Sequence, residues 1–171
     1  MSNAALTKRR IEATLVYLFR DGKILMMERI KKKGDIHKNK WNGLGGKVEL
    51  TESIVQCAVR EVREESGLEV EGMAYSGHLT FPEFDKQGND WSVHVFRAEE
   101  FSGQLGECDE GRLEWIDEDK LLELNLWEGD RHFLPYMLAK RVFLGEVRYK
   151  DGKMTSFKVD FADDIQVKGL N

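Results

Sequence analysis

The chain has 171 residues, 41% of them hydrophobic and 33% charged, with a formal charge of −5. That length suits one well-buried core and is short for two. A mean hydropathy of −0.50, with no apolar run near the ~18 residues of a membrane span, argues against a membrane protein, and the acidic balance argues against one that coats polymeric nucleic acid. Residues 1–10 (MSNAALTKRR) are expected to form an N-terminal tail, with Ser2-Asn3-Ala4 read as a cloning remnant. No hydrophobic block follows the basic residues, which does not fit a secretory signal. Residues 11–171 are expected to form a single domain. Two cysteines, Cys57 and Cys108, are too few for a disulfide framework and lack metal-ligand spacing, which points to a reducing cytoplasm.

Ile11 to Phe19 is rich in β-branched and aromatic residues and reads as a strand. The turn Arg20-Asp21-Gly22 leads to a return strand from Lys23 to Arg29. Ile30 to Lys40 is a polar, basic loop without apolar periodicity. From Thr51 to Ser66 the pattern is helical, with Thr51 or Ser53 as the cap and Gly67 just past the last turn. At about 100° per residue, Val55, Ala58, Val59 and Val62 share a core stripe, and Glu61, Glu64 and Glu65 occupy a separate neighbouring arc. Leu68 to Phe81 is extended, with a break at Gly72 or Gly77. Asp85 to Asp90 is a turn and Trp91 to Phe96 a strand. A short strand from Glu110 to Ile116 precedes a helical turn over 117–122. Arg131 to Lys140 reads as a helix whose Pro135 marks its first turn or kinks it. A second hairpin closes the chain, turning at Asp151-Gly152-Lys153. The sum is a mixed sheet with a few helices, of α/β or α+β class.

Three acids at i, i+3 and i+4 repel one another. A solvated surface face is one reading of them. A cation site is the other, since hard oxygen donors at this density suit Mg²⁺ or Mn²⁺. Such ions would turn a patch that repels polyphosphate into one that attracts it, and would acidify a bound water. The preceding Gly45-Gly46 lets backbone approach closely.

Gly46, five residues, Glu52, seven residues, Arg60-Glu61-Val62, one residue, Glu64-Glu65, one residue, Gly67-Leu68 together resemble a complete Nudix box. The resemblance implies a loop-helix-loop motif on an α/β/α sandwich with a mixed sheet. It implies that Glu61, Glu64 and Glu65 ligate metal with the Gly46 carbonyl, and that one of these acids, or one from elsewhere, is the general base. Glu52 and Arg60 would hold each other and orient the catalytic face, and Gly67 would be structural. Beyond the box, Trp41 to Lys47 (WNGLGGK), Leu79 to Phe84, Gly103 to Trp115 and Leu126 to Phe133 are similar to the 8-oxo-dGTP diphosphatases of the mammalian type and their MutT-like bacterial relatives. That similarity implies a further metal-side acid at Glu110, a purine contact at Asn42 and substrate binding by Lys47. The mammalian type has two adjacent aspartates after its tryptophan, where this chain has Glu128-Gly129-Asp130. Asp130 is the first choice for the base-reading carboxylate and Glu128 the second, with Trp127 either stacking on the base or packing in the core.

His37, His94 and His132 are read as structural or exposed rather than catalytic. Lys32, Lys33 and Lys38 either steer phosphate or are merely solvated. Cys57 lacks a partner base and is not expected to be a nucleophile. The resemblance implies a Mg²⁺-dependent nucleoside triphosphate pyrophosphohydrolase that releases monophosphate and pyrophosphate, with an oxidised purine nucleotide as substrate. The alternatives are a Nudix enzyme for another nucleotide or nucleotide conjugate, and a silent nucleotide-binding regulatory module. The expected partner is a small nucleotide, with no membrane and no polymeric nucleic acid, in a monomer or dimer.

Overall fold

The computed structural model describes residues 8–30, 33–34 and 37–165. Strands β1 (Arg10–Arg20) and β2 (Lys23–Arg29) form the expected hairpin. Asp21 and Gly22 both hold positive φ in its turn, the backbone that suits the twist of a two-residue connection. The hairpin ladder is short, pairing only Leu18–Arg20 with Lys23–Leu25. Beyond it the strands diverge, and the segment from Trp41 to Lys47 threads the gap. Its β3 (Trp41–Asn42) pairs with Met27 and Glu28 of β2, while Leu44 and Lys47 bridge Val16 and Ala13 of β1. The fit is close. A Cβ on Gly45 would lie 2.0 Å from the Thr14 carbonyl oxygen, so position 45 is admitted only as glycine.

Helix α1 spans Ile54–Ser66, followed by β4 (Glu69–Phe81), β5 (Asp90–Ser102) and β6 (Gly111–Asp117). A 3₁₀ turn over Glu118–Glu123 precedes α2 (Glu128–Leu138), and β7 (Phe143–Lys150) and β8 (Lys153–Phe161) end the fold. The sheet order is β3-β2-β1-β5-β4-β7-β8, with β6 also pairing β2. β1–β5 and β4–β7 are parallel and the other pairs antiparallel, which makes the sheet mixed. Alternate residues of β1 serve opposite faces: Tyr17 and Phe19 pack with Phe133, Leu134 and Met137 of α2, whereas Val16 and Leu18 pack with Ala58 and Val62 of α1. One helix on each face gives the expected α/β/α sandwich. No helix among the described residues is long and apolar enough to cross a membrane.

Ser53 rather than Thr51 caps α1, in a reciprocal capping box with Gln56, and Gly67 closes it at φ 75°. The core stripe differs from the expected one. Val55 is 53% exposed and Val59 only half-buried, while Glu65 and Ser66 are buried. The helix meets the sheet along the i,i+4 row of Ala58, Val62 and Ser66, which rolls Val55 outward and turns Glu65 inward. The apolar and acidic faces are therefore not separate. Several element ends also move. β6 begins one residue later, leaving Glu110 just ahead of it, and β5 continues to Ser102 because β1 and β4 flank it. α2 starts at Glu128, so Pro135 falls inside the helix rather than in its first turn.

Candidate active site

The threaded segment and α1 meet through the acids. The Gly45 N–H donates to Glu65 Oε2 at 2.9 Å, and a Cβ on Gly46 would sit 2.3 Å from Glu61 Oε1. Glu65 is 7% exposed. Burial pushes its carboxyl up to about 8; Glu61 and Glu110 add to that, while the Gly45 amide and Arg29 oppose it. Burial also raises Glu61, with Glu64 and Glu110 adding and Arg60 opposing. Glu61 and Glu65 thus sit in low dielectric beside further acids, an arrangement that disfavours their ionised forms. The Gly46 carbonyl accepts from the Thr14 N–H at 2.9 Å.

Arg60 is the counter-charge for this group. Its Nε and Nη2 reach Glu52 at 2.9 and 2.6 Å, and its Nη1 reaches Glu61 at 2.8 Å and Glu64 at 3.1 Å. Hydrogen bonds from Arg60, then from the Glu49 amide, hold Glu52 down at about 2. Glu64 does not line the cleft described below: its exposed side chain turns to Arg60, its i−4 neighbour on α1. Glu110 pairs with Arg29 at 2.8 Å. Among the described residues no three of these acids converge closely enough to hold one ion as they stand; Arg60 holds Glu61 and Glu64, and Arg29 holds Glu110. The donor chemistry nonetheless fits a hard divalent cation, because carboxylates pressed together in low dielectric gain most from one.

One cleft of about 620 Å³ is lined by Gly46, Glu61, Glu65 and Glu110 and also by Asn42, Lys47, Trp127 and Asp130. Asp130, on the first turn of α2, is 8% exposed. Burial pushes its carboxyl up to about 7, against the pull of Lys40 and Arg131. The Asn42 Nδ2 is buried without a hydrogen-bond partner among the described residues. Trp127 is half-buried; its indole N–H donates to His37 Nδ1 at 2.8 Å, and Lys47 Nζ stands 5.1 Å from the Trp91 ring centre. Glu128 is turned away, its exposed carboxylate accepting from the Met154 N–H at 3.3 Å. Of the two candidate base readers, only Asp130 faces the cleft.

The site includes residues the sequence reading missed. Arg29 ends β2 ahead of a basic run, and its pairing with Glu110 joins positions distant in the chain. His37, read as structural or exposed, lines the cleft beside Trp127, and Phe84 and Tyr149 complete an aromatic wall. Lys33 and Lys38 are exposed and do not line the cleft; Lys32 lies outside the described residues. His94 bonds Glu12 and Tyr75, and His132 stacks on Phe157 at 4.8 Å. Burial pushes the Cys57 thiol up to about 11, which makes it a poor nucleophile.

Comparison with known proteins agrees with this architecture. The family model described as NUDIX domain matches residues 8–137. A Danio rerio protein named oxidized purine nucleoside triphosphate hydrolase is 38% identical, covering 89% of this chain and 96% of its own. A Mus musculus protein of the same name is 36% identical, over 81% and 86%. The crystal structure of a mutator MutT protein from Bacillus halodurans superposes with a TM-score of 0.76 at 28% identity, covering 88% of this chain and 97% of that one. The chain belongs to the Nudix family of hydrolases.

Proposed function

We propose that the protein is a Mg²⁺-dependent pyrophosphohydrolase of oxidised purine nucleoside triphosphates such as 8-oxo-dGTP, active in nucleotide-pool sanitation in the cytoplasm. One observation carries this reading. Glu61, Glu65 and Glu110 line a single cleft with Asn42, Trp127 and Asp130, so a triphosphate and its base fit one enclosure. The names of the fish and mouse relatives support the substrate class, and a chain with only two cysteines, both buried, suits a reducing compartment.

Water adds to a phosphorus of the anhydride, the P–O–P bond breaks, and monophosphate, pyrophosphate and a proton leave. Glu61, Glu64, Glu65, Glu110 and the Gly46 carbonyl would hold Mg²⁺, with Mn²⁺ as a substitute. Bound there, the cation supplies acidification of water and neutralisation of phosphate charge. Arg60 and Glu52 fix the acidic face, Glu65 is oriented by the Gly45 N–H, and an acid among the four takes the proton. Asn42 and Asp130 read the base, Trp127 and Phe84 wall it, and Lys47 meets the substrate. Such hydrogen-bonding sites discriminate strongly between bases that differ by one donor. Oxidation at C8 adds an N7–H that ordinary guanine lacks. The test is kcat/KM for 8-oxo-dGTP against dGTP: a clear preference for the oxidised base supports the reading, and equal values remove it while leaving a nucleotide hydrolase.

A further inference from the structure

Tyr149 lies on β7, and its ring stands edge-on to Trp127 at 5.5 Å and to Phe84 at 5.8 Å in the cleft wall. Its hydroxyl oxygen accepts the Gly129 N–H at 2.7 Å. α2 receives no side-chain cap from its own N-cap residue, Trp127, so a residue twenty positions away satisfies a first-turn amide. Gly129 follows from this contact. A Cβ there would lie 2.9 Å from the Tyr149 hydroxyl and 2.8 Å from Val147 Cγ1. No side chain at position 129, a carboxylate included, coexists with the hydroxyl as placed.

A hydroxyl has one proton to donate as well as lone pairs that accept. Accepting from Gly129 leaves that proton for another partner, and none is found for it among the described residues. Burial, with the Asp130 charge beside it, pushes the phenol up to about 12, so it stays a donor at neutral pH. Tyr149, Asn42 and Asp130 line one cleft, and the Asn42 Nδ2 in it has no hydrogen-bond partner among the described residues. A phenol held by a backbone amide presents its remaining proton as a fixed donor.

We propose that Tyr149 is a specificity-determining residue whose hydroxyl donates to the C6 carbonyl of the base and so selects 6-oxopurine over 6-aminopurine nucleotides. This rests on the purine-nucleotide reading above. The test compares kcat/KM for 8-oxo-dGTP and 8-oxo-dATP in the wild type, in Y149F and in G129A, which keeps the phenol but displaces its hydroxyl. The wild type is expected to favour 8-oxo-dGTP, and both variants to lose about 10-fold of that preference, the scale of one neutral hydrogen bond. If Y149F does not fold, G129A alone decides. An unchanged ratio, with both substrates losing equally, assigns Tyr149 to helix capping and overturns the proposal. Failure of the wild type to release pyrophosphate from either nucleotide overturns the functional reading and the proposal together.

Discussion

The Gly45 N–H and the Glu65 carboxylate are joined at 2.9 Å, and that bond fixes the threaded segment against α1. It places a buried acid where only backbone without a Cβ can approach. The two glycines of this segment nevertheless fail differently when substituted. A Cβ at Gly45 meets the Thr14 backbone at 2.0 Å, whereas a Cβ at Gly46 meets the movable carboxylate of Glu61. Gly45→Ala should therefore lose soluble folded protein. Gly46→Ala should fold with a small drop in Tm while displacing Glu61 and cutting kcat. Circular dichroism and steady-state rates separate the two, and a folded, active Gly45→Ala would refute the threading constraint.

Glu65 and Glu64 are neighbours in sequence with different surroundings: one is buried in the cleft, the other exposed on Arg60. Glu65→Gln should lower kcat by about 100-fold or more, the scale for one preorganised electrostatic group. Glu64→Gln should be milder, since its carboxylate must leave Arg60 to serve the reaction. The readout is kcat at saturating Mg²⁺, and equal losses in both variants would show that Glu64 moves fully into the site.

Asp130 links function to pH. Its carboxyl sits at about 7 in the fold against an ordinary 3.8. Below about pH 4 it is protonated in both folded and unfolded chains and costs nothing. Between about 4 and 7 the unfolded chain releases the proton and the fold retains it, so stability falls as pH rises. Above about 7 the cost is complete, on the order of 4 kcal/mol at about 1.4 kcal/mol per pH unit. Asp130→Asn should therefore melt several degrees higher than the wild type at pH 8, with the gap closing towards pH 4.5, while kcat/KM falls about 10-fold. A gap in Tm that does not vary with pH would contradict the buried-acid account.

The sequence conveyed what local chemistry sets. The Ser53–Gln56 box, the Gly67 stop, the Asp21-Gly22 hairpin and the period of the strands all act within a few residues. The acids were legible because like charges at i, i+3 and i+4 call for a counter-charge. Features assembled across the chain were legible only through the family resemblance, which supplied Asn42, Glu110 and Asp130, or not at all. α2 begins at Glu128 because a tyrosine from β7 satisfies Gly129, and no capping residue at position 127 signals it. Arg29 and His37 enter the site through partners in Glu110 and Trp127, which nothing in their own neighbourhoods announces. The inward turn of Glu65 depends on which row of α1 the sheet accepts, a choice made by packing rather than periodicity.

The central claim is that one cleft joins cation-assisted cleavage to purine recognition. Its most direct measurement is pyrophosphate and nucleoside monophosphate release from 8-oxo-dGTP, with Mg²⁺ and with excess EDTA, in the wild type and in Asp130→Asn. The account predicts stoichiometric release that stops in EDTA and weakens, chiefly through KM, in the variant. Release of single phosphates, or turnover indifferent to both Mg²⁺ and Asp130, would contradict it.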